Sequence, residues 1–352
     1  MTGIYSVLIS AFVALLIASV GWLYQRKQSQ DDQKRHAEEM ELKWQAFKAQ
    51  FAPHEQALDI IKSIPPPSDT DLSDDEAIPP GPYIVGLPIQ DPHNFYGRKD
   101  IINKFYTRLS DSPQLTSVSI QGARRSGKTS FLRYVSHPVN WSIRLDKRHR
   151  TKTIPVFLNL QSGISNSSHF YSYLIKETID SLALNASIDC NISYLPTETD
   201  FPLVRDVFRT LCTKNWQFAI FLDEFEQLTT DLSFDRDFFD SLRSLSDISG
   251  IAWITSSYRN IQELELIAAD GKTSPFFNIF FPVPLYLGPF SVKSAQDLIR
   301  KPAETVGHVF SEDDIAFLIS MAGRLPHAIQ IAAAILYWAR KSGSASSESD
   351  LY

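Results

Sequence analysis

Hydrophobic positions along the chain follow three patterns, and each predicts a different kind of element. From Ile4 to Tyr24 the run is apolar and holds no charged residue. Wound as a helix at about 1.5 Å per residue it reaches about 31 Å, the thickness of a bilayer's hydrocarbon core. A single transmembrane helix is therefore expected within residues 1–27. Trp22 and Tyr24 sit at its end and Arg26 and Lys27 follow, whereas Met1 to Gly3 carry no Lys or Arg. That bias places the later residues in the cytoplasm and the N-terminus outside. A cleaved secretory signal and a buried core helix are the alternatives; the first calls for a basic start, a shorter apolar core and a small-residue cleavage site.

In the second pattern Met40, Trp44, Phe47 and Phe51 recur at three- and four-residue spacing. One apolar stripe on a juxtamembrane helix over 28–64 is predicted, to seat on its own domain or on a second copy. Pro65, Pro66 and Pro67, an acidic run from Ser68 to Glu76, and Pro79-Pro80-Gly81-Pro82 come next. This stretch has too little apolar surface to order itself, so 65–92 reads as a tether.

The third pattern alternates short apolar runs with helical stretches. The runs at Ser117–Gln121, Thr153–Leu160, Phe218–Leu222, Ile251–Thr255 and Pro284–Leu287 have the length and boundaries of buried parallel strands joined by crossover helices. An α/β core over 93–290 follows. The remainder is helical, near Ser291–Ile299, Glu312–Met321 and Pro326–Arg340, and forms a lid over 291–342; a frayed tail is expected over 343–352. No internal repeat is present.

Composition narrows the function. With 352 residues, 43% hydrophobic and 21% charged, the chain is neither disordered nor a multi-span membrane protein. A net charge of -6 excludes a global basic field for nucleic acid, leaving only the local cluster Lys147, Arg148, His149, Arg150 and Lys152. Cys190 and Cys212 stand far apart with no metal-ligand spacing, and the eight His are scattered. Neither a disulfide framework nor a zinc site is suggested.

The chemistry-bearing segment is Gly122-Ala123-Arg124-Arg125-Ser126-Gly127-Lys128-Thr129. It matches G-x-x-x-x-G-K-[ST] between an apolar strand and a helical stretch, the context a phosphate-cradling loop requires. Glycine lets backbone N–H groups curl around a phosphate at the positive end of the helix; Lys128 reaches the β- and γ-phosphates and Thr129 ligates Mg²⁺. A strand ending in acids should complete such a site, and Leu222-Asp223-Glu224 supplies it. Asp223 is expected to hold the metal and Glu224 to polarise the attacking water.

Taken with Phe95-Tyr96-Gly97-Arg98, Ser130, Leu222-Asp223-Glu224-Phe225 and Gly323-Arg324-Leu325-Pro326, these motifs make residues 94–341 resemble the AAA-like ATPases of the STAND class. The resemblance implies an ASCE-type P-loop NTPase fold, a parallel sheet sandwiched by helices with a C-terminal helical lid, binding ATP and Mg²⁺. It implies that Phe95, Tyr96, Gly97 and Arg98 lie near the adenine and that Gly122, Arg125, Ser126 and Gly127 surround the phosphates with Lys128, Thr129 and Ser130. Ser256 or Arg259 would sense the γ-phosphate, and Pro326 would press the lid on the nucleotide, with His327 touching a phosphate or capping the helix. Typical members of that class continue into a winged helix and a repeat array that senses the trigger, whereas this sequence stops shortly after the lid, so the sensor is expected from a partner chain, from the membrane helix and the 28–64 stripe, or from a longer form of the chain. The expectation is a membrane-anchored ATPase switch whose nucleotide state controls homo-oligomerisation or engagement of a partner protein. The alternatives are a membrane scaffold with little hydrolysis and a DNA-handling ATPase.

Overall fold

A computed structural model of the protein describes residues 81–161, 163–186, 199–268, 274–280 and 283–349. The expected transmembrane span, the stripe at 28–64, the tether up to Pro80 and Cys190 lie outside them. Among the described residues no helix is long and apolar enough to cross a membrane.

Five strands form one parallel sheet: β1 (Val118–Gln121), β2 (Thr153–Asn159), β3 (Gln217–Asp223), β4 (Ile251–Ser257) and β5 (Leu285–Tyr286), in the order β2-β3-β4-β1-β5. The strand feeding the glycine loop and the strand ending in acids are thus separated by β4. In register, Ile120 of β1 pairs with Ser256 of β4 and Leu222 of β3 with Thr255.

Every residue of β3 and β4 is buried, which explains their unbroken apolar runs. Side chains alternate across the sheet. Phe218, Ile220, Leu222 and Trp253 enter one core with α5 (Ser167–Ala186), α6 (Phe201–Thr213) and α8 (Arg236–Ser246). Ala219, Phe221, Ala252 and Ile254 enter the other with α1 (Lys99–Ser110), α2 (Lys128–Ser136) and α3 (Pro138–Arg144). Short helices α4 (Lys147–Arg150), α7 (Glu226–Thr230) and α9 (Ile261–Ala268) complete this part.

The lid is α10 (Val292–Thr305), α11 (Glu312–Ala322) and α12 (Pro326–Ser349), around a third apolar cluster. Ser311 caps α11 reciprocally with Asp314, and Gly323 ends it in the left-handed conformation, two devices that satisfy terminal backbone groups. Two expectations shift. Instead of stopping at Ile299, α10 runs through Pro302, because Pro302 and Ala303 are buried in the lid core with Leu298 and that burial offsets the missing backbone bond. In place of a frayed tail beginning at residue 343, α12 continues to Ser349.

The tether also ends earlier than residue 92. Tyr83 is buried in the lid cluster and its hydroxyl donates to Ile299 O at 2.5 Å. Ile89 is buried as well, and its N–H donates to Ser130 Oγ. Residues 83–89 therefore form a strap from the lid to α2, anchored by two apolar side chains that low average hydropathy conceals.

Candidate functional site

The loop between β1 and α2 is built by two left-handed residues, Arg125 (φ 63°) and Gly127 (φ 89°), which turn the chain so that it enters α2 at Lys128. Gly122 is required by contact rather than conformation: a Cβ there would lie 2.6 Å from Ser126 Oγ and 2.9 Å from Leu287 O. Lys128 Nζ donates to Gly122 O at 3.0 Å and to Ala123 O at 3.2 Å, so the ammonium lies folded over its own loop.

Across β4 stands the acidic end of β3. Ser256 Oγ donates to Asp223 Oδ1 at 2.5 Å, and Glu224 N donates to the same oxygen at 3.2 Å. Glu224 adopts φ 56°, a left-handed backbone uncommon outside glycine and frequent at functional positions. The turn then starts α7, whose first residue, Glu226, is buried.

These elements and the lid enclose a cavity of about 740 Å³, within the range of small-molecule and cofactor sites. Of the residues singled out from sequence, Phe95, Tyr96, Arg98, Arg125, Ser126, Gly127, Lys128, Thr129, Ser130, Glu224, Pro326 and His327 line it. Gly97, Gly122, Asp223, Ser256 and Arg259 do not. Ser256 is fully buried behind Asp223, and Arg259 is exposed, with its Nε donating to Tyr258 Oη.

Arg98 serves as a tie. Its guanidinium donates to Ser126 O at 2.8 Å and Gly288 O at 2.9 Å and stacks over the Phe290 ring at 4.8 Å. The loop is thereby joined to the segment leading into the lid, and burial lowers the guanidinium pKa to about 10. Gly97 beside it has φ 77°, and a Cβ would meet Ser294 Cβ at 2.7 Å. Phe95 stacks on Tyr134 with centroids 4.4 Å apart, so one aromatic wall is fixed before any ligand arrives.

Sequence reasoning missed Glu226, Arg124, Tyr258, Gln330 and the strap residues Gly86 to Ile89, all of which line the cavity. The i, i+2 repeat of acids at Glu224 and Glu226 was a usable signal; the strap carried none. Burial raises the Glu226 carboxyl pKa, and burial lowers that of the Lys128 ammonium. Among the carboxylates opposing the shift on Lys128, Glu226 acts most strongly, ahead of Asp223 and Glu224. His327 is pushed down by burial and then by Arg125.

The basic cluster at 147–152 is largely engaged in the fold. His149 is fully buried between Gln217 and Ser112 O, Arg150 donates to Ile143 O and Leu145 O, and Arg148 reaches Asp146 and Ser110 O.

The sheet order carries the glycine loop into a helix beside the central strand, with the acids one strand away. The fold is P-loop ATPase-like. Residues 208–341 match a family model described as Novel STAND NTPase 2, a span running from α6 through the acidic strand and the lid. No curated protein matches the chain. Among solved structures, a Walker-type ATPase of Pyrococcus abyssi is similar at 14% identity and TM-score 0.52, over 70% of this chain and 69% of that one. The Aeropyrum pernix ORC2 protein is similar at 15% identity and TM-score 0.51, over 78% and 66%. Drosophila ORC, solved bound to DNA, is similar at 12% identity and TM-score 0.51, over 82% and 69%.

The donors suit a magnesium–triphosphate ligand. Ser126 Oγ is buried without a partner among the described residues, beside a loop whose backbone turns toward the N-terminus of α2. Thr129 and Asp223 offer only oxygen, as a hard cation requires.

Proposed function

We propose that the chain is an ATP-driven switch, binding Mg²⁺–ATP between core and lid and hydrolysing it, with its N-terminal segment holding it on the cytoplasmic face of a membrane. The observation that carries this reading is the single cavity onto which Lys128, Thr129, Glu224 and the lid residue Pro326 converge. Lys128 Nζ would leave the loop carbonyls for the β- and γ-phosphates, and the loop N–H groups would bind their oxygens. Thr129 Oγ1 and Asp223 would hold the magnesium, which neutralises phosphate charge when bound. Glu224 would take a proton from the attacking water as that water's oxygen bonds to phosphorus and ADP departs.

Because strap, loop and lid share one cavity wall, ligand contacts on both sides would favour a closed arrangement, and hydrolysis would release it. Homo-oligomerisation or engagement of a partner protein in the closed state is the output we favour, with the N-terminal helices gathered as a result. A DNA-handling role has weaker support, since most of the basic cluster is tied into the fold.

Mg²⁺–ATP titration of the purified chain tests the binding step: Lys128→Ala should weaken affinity at least about tenfold. Phosphate release separates switch from scaffold. A switch turns over and loses turnover in Glu224→Gln, whereas equal, negligible release in both identifies the scaffold. Alkali-resistant retention in the membrane fraction, lost on deleting 1–27, tests the anchor.

A further inference from the structure

Arg124 and Tyr258 line the cavity without a part in the chemistry assigned so far, and they touch each other. The Arg124 guanidinium lies 5.2 Å from the Tyr258 ring centroid, and no hydrogen bond or ion pair engages it among the described residues. The N–H donors of an exposed side chain on the phosphate loop are therefore uncommitted. The ring, by contrast, is fixed. Tyr258 directly follows β4, its N–H donates to Glu226 Oε1 at 3.4 Å, and its hydroxyl accepts from Arg259 Nε at 3.0 Å. The Arg259 guanidinium stands 5.5 Å from the same ring centroid. Two cations sharing one ring repel each other, so the hold on Arg124 is weak. Strand order sets where this pair sits: β4 lies between β1, which feeds the loop, and β3, which ends in the acids. A terminal phosphate spanning from Lys128 to a water beside Glu224 would lie over the end of β4, where Arg124 is held.

We propose that Arg124 is a γ-phosphate ligand supplied by the loop itself, held on Tyr258 until a triphosphate enters, and that this transfer separates nucleoside tri- from diphosphates. The proposal rests on the nucleotide reading of the cavity. A guanidinium meets phosphate oxygens through paired charge-assisted hydrogen bonds, which are stronger than an exposed contact with an aromatic face. The exchange therefore runs toward phosphate. A diphosphate ends at the β-phosphate, beside Lys128 and the loop N–H groups, and leaves Arg124 on Tyr258. The ring thus competes with the γ-phosphate and with no other part of the nucleotide. Arg98 cannot take this part, because Ser126 O, Gly288 O and the Phe290 ring already hold it.

The test is calorimetric titration of Mg²⁺–ADP and of a Mg²⁺-bound, non-hydrolysable ATP analogue into the full chain, as parent, Arg124→Gln, Arg124→Lys and Tyr258→Leu, with thermal melting of each protein before ligand is added. Arg124→Gln should weaken the triphosphate about ten- to thirtyfold and the diphosphate less than about threefold. Arg124→Lys keeps the charge but not the planar fork and should fall between the two. Tyr258→Leu should strengthen the triphosphate about two- to fivefold and leave the diphosphate unchanged. Equal losses for both nucleotides in Arg124→Gln, or none, would overturn the proposal. So would weaker triphosphate binding in Tyr258→Leu, which would make the stacked pair the binding arrangement. Failure of both Arg124 variants to fold would overturn it too, by making the arginine structural. Parent protein that binds neither nucleotide refutes the nucleotide reading itself; parent that binds both, with Arg124→Gln keeping its preference, refutes the role of the arginine alone.

Discussion

Ser256 Oγ and Asp223 Oδ1 lie 2.5 Å apart in a fully buried bond between the ends of adjacent strands. The hydroxyl donates, so the carboxylate is fixed in one rotamer and held as an acceptor. Ser256 was a sequence candidate for direct contact with a phosphate; here it orients the acid that would hold the magnesium. Removing such a supporting partner typically costs about 10–100-fold in metal affinity or activity. Ser256→Ala should therefore raise the Mg²⁺ concentration needed for half-maximal phosphate release by that factor, while metal-free nucleotide binding changes little. An unchanged magnesium dependence would deny the role.

Arg98 gives a second prediction. Two charge-assisted bonds to Ser126 O and Gly288 O lose their donor in Arg98→Met, leaving carbonyls unsatisfied. Net hydrogen bonds from charged groups contribute about 1.5–3 kcal/mol each, so denaturant unfolding should show a loss of about 3–6 kcal/mol. The loop would also lose its link to the lid, and nucleotide affinity should fall with it.

Gly97→Ala tests the same corner sterically. The substitution strains a backbone at φ 77° and drives a methyl into Ser294 at 2.7 Å, at the start of α10. A loss of about 1–3 kcal/mol is expected from overpacking, read as a lower urea midpoint. Gly86→Ala at φ 85°, with nothing near its Cβ, should cost less and serves as the control.

Cys212 carries a pH dependence. Burial pushes its thiol up to about 11 from an ordinary 9.0. The folded state therefore keeps its proton where the unfolded chain releases it, so this contribution to stability is fully present below about pH 9 and is lost as pH rises from 9.0 to about 11. In a Cys190→Ser background, native-state alkylation at pH 8 should be slow and accelerate only in that window, and Cys212→Ala should flatten the alkaline fall in stability. Fast alkylation of the folded protein at pH 8 would contradict the burial.

Much of the architecture was legible in sequence because parallel strands buried on both faces leave unbroken apolar runs, and all five were locatable within a few residues. The glycine loop was legible because its backbone demands particular residues at set spacing. The tether boundary was not: Tyr83 and Ile89 are single apolar residues among prolines and polar neighbours, with no period to reveal that each has a pocket. Nor was the length of α10: the local cost of Pro302 is visible in sequence, and the burial that offsets it is not.

By itself, the sequence determined which segments become strands, where a phosphate could be cradled, and which acids end the third strand. Tertiary structure decided which of these ends meet. Interposing β4 between β1 and β3 brings Ser256 against Asp223, and the turn after β3 carries Glu226 onto the wall it shares with Lys128. Periodicity and spacing encode burial and local backbone geometry, which neighbours along the chain impose. Adjacency across a sheet depends on strand order, set by the packing of whole helices and strands, and no local pattern records it.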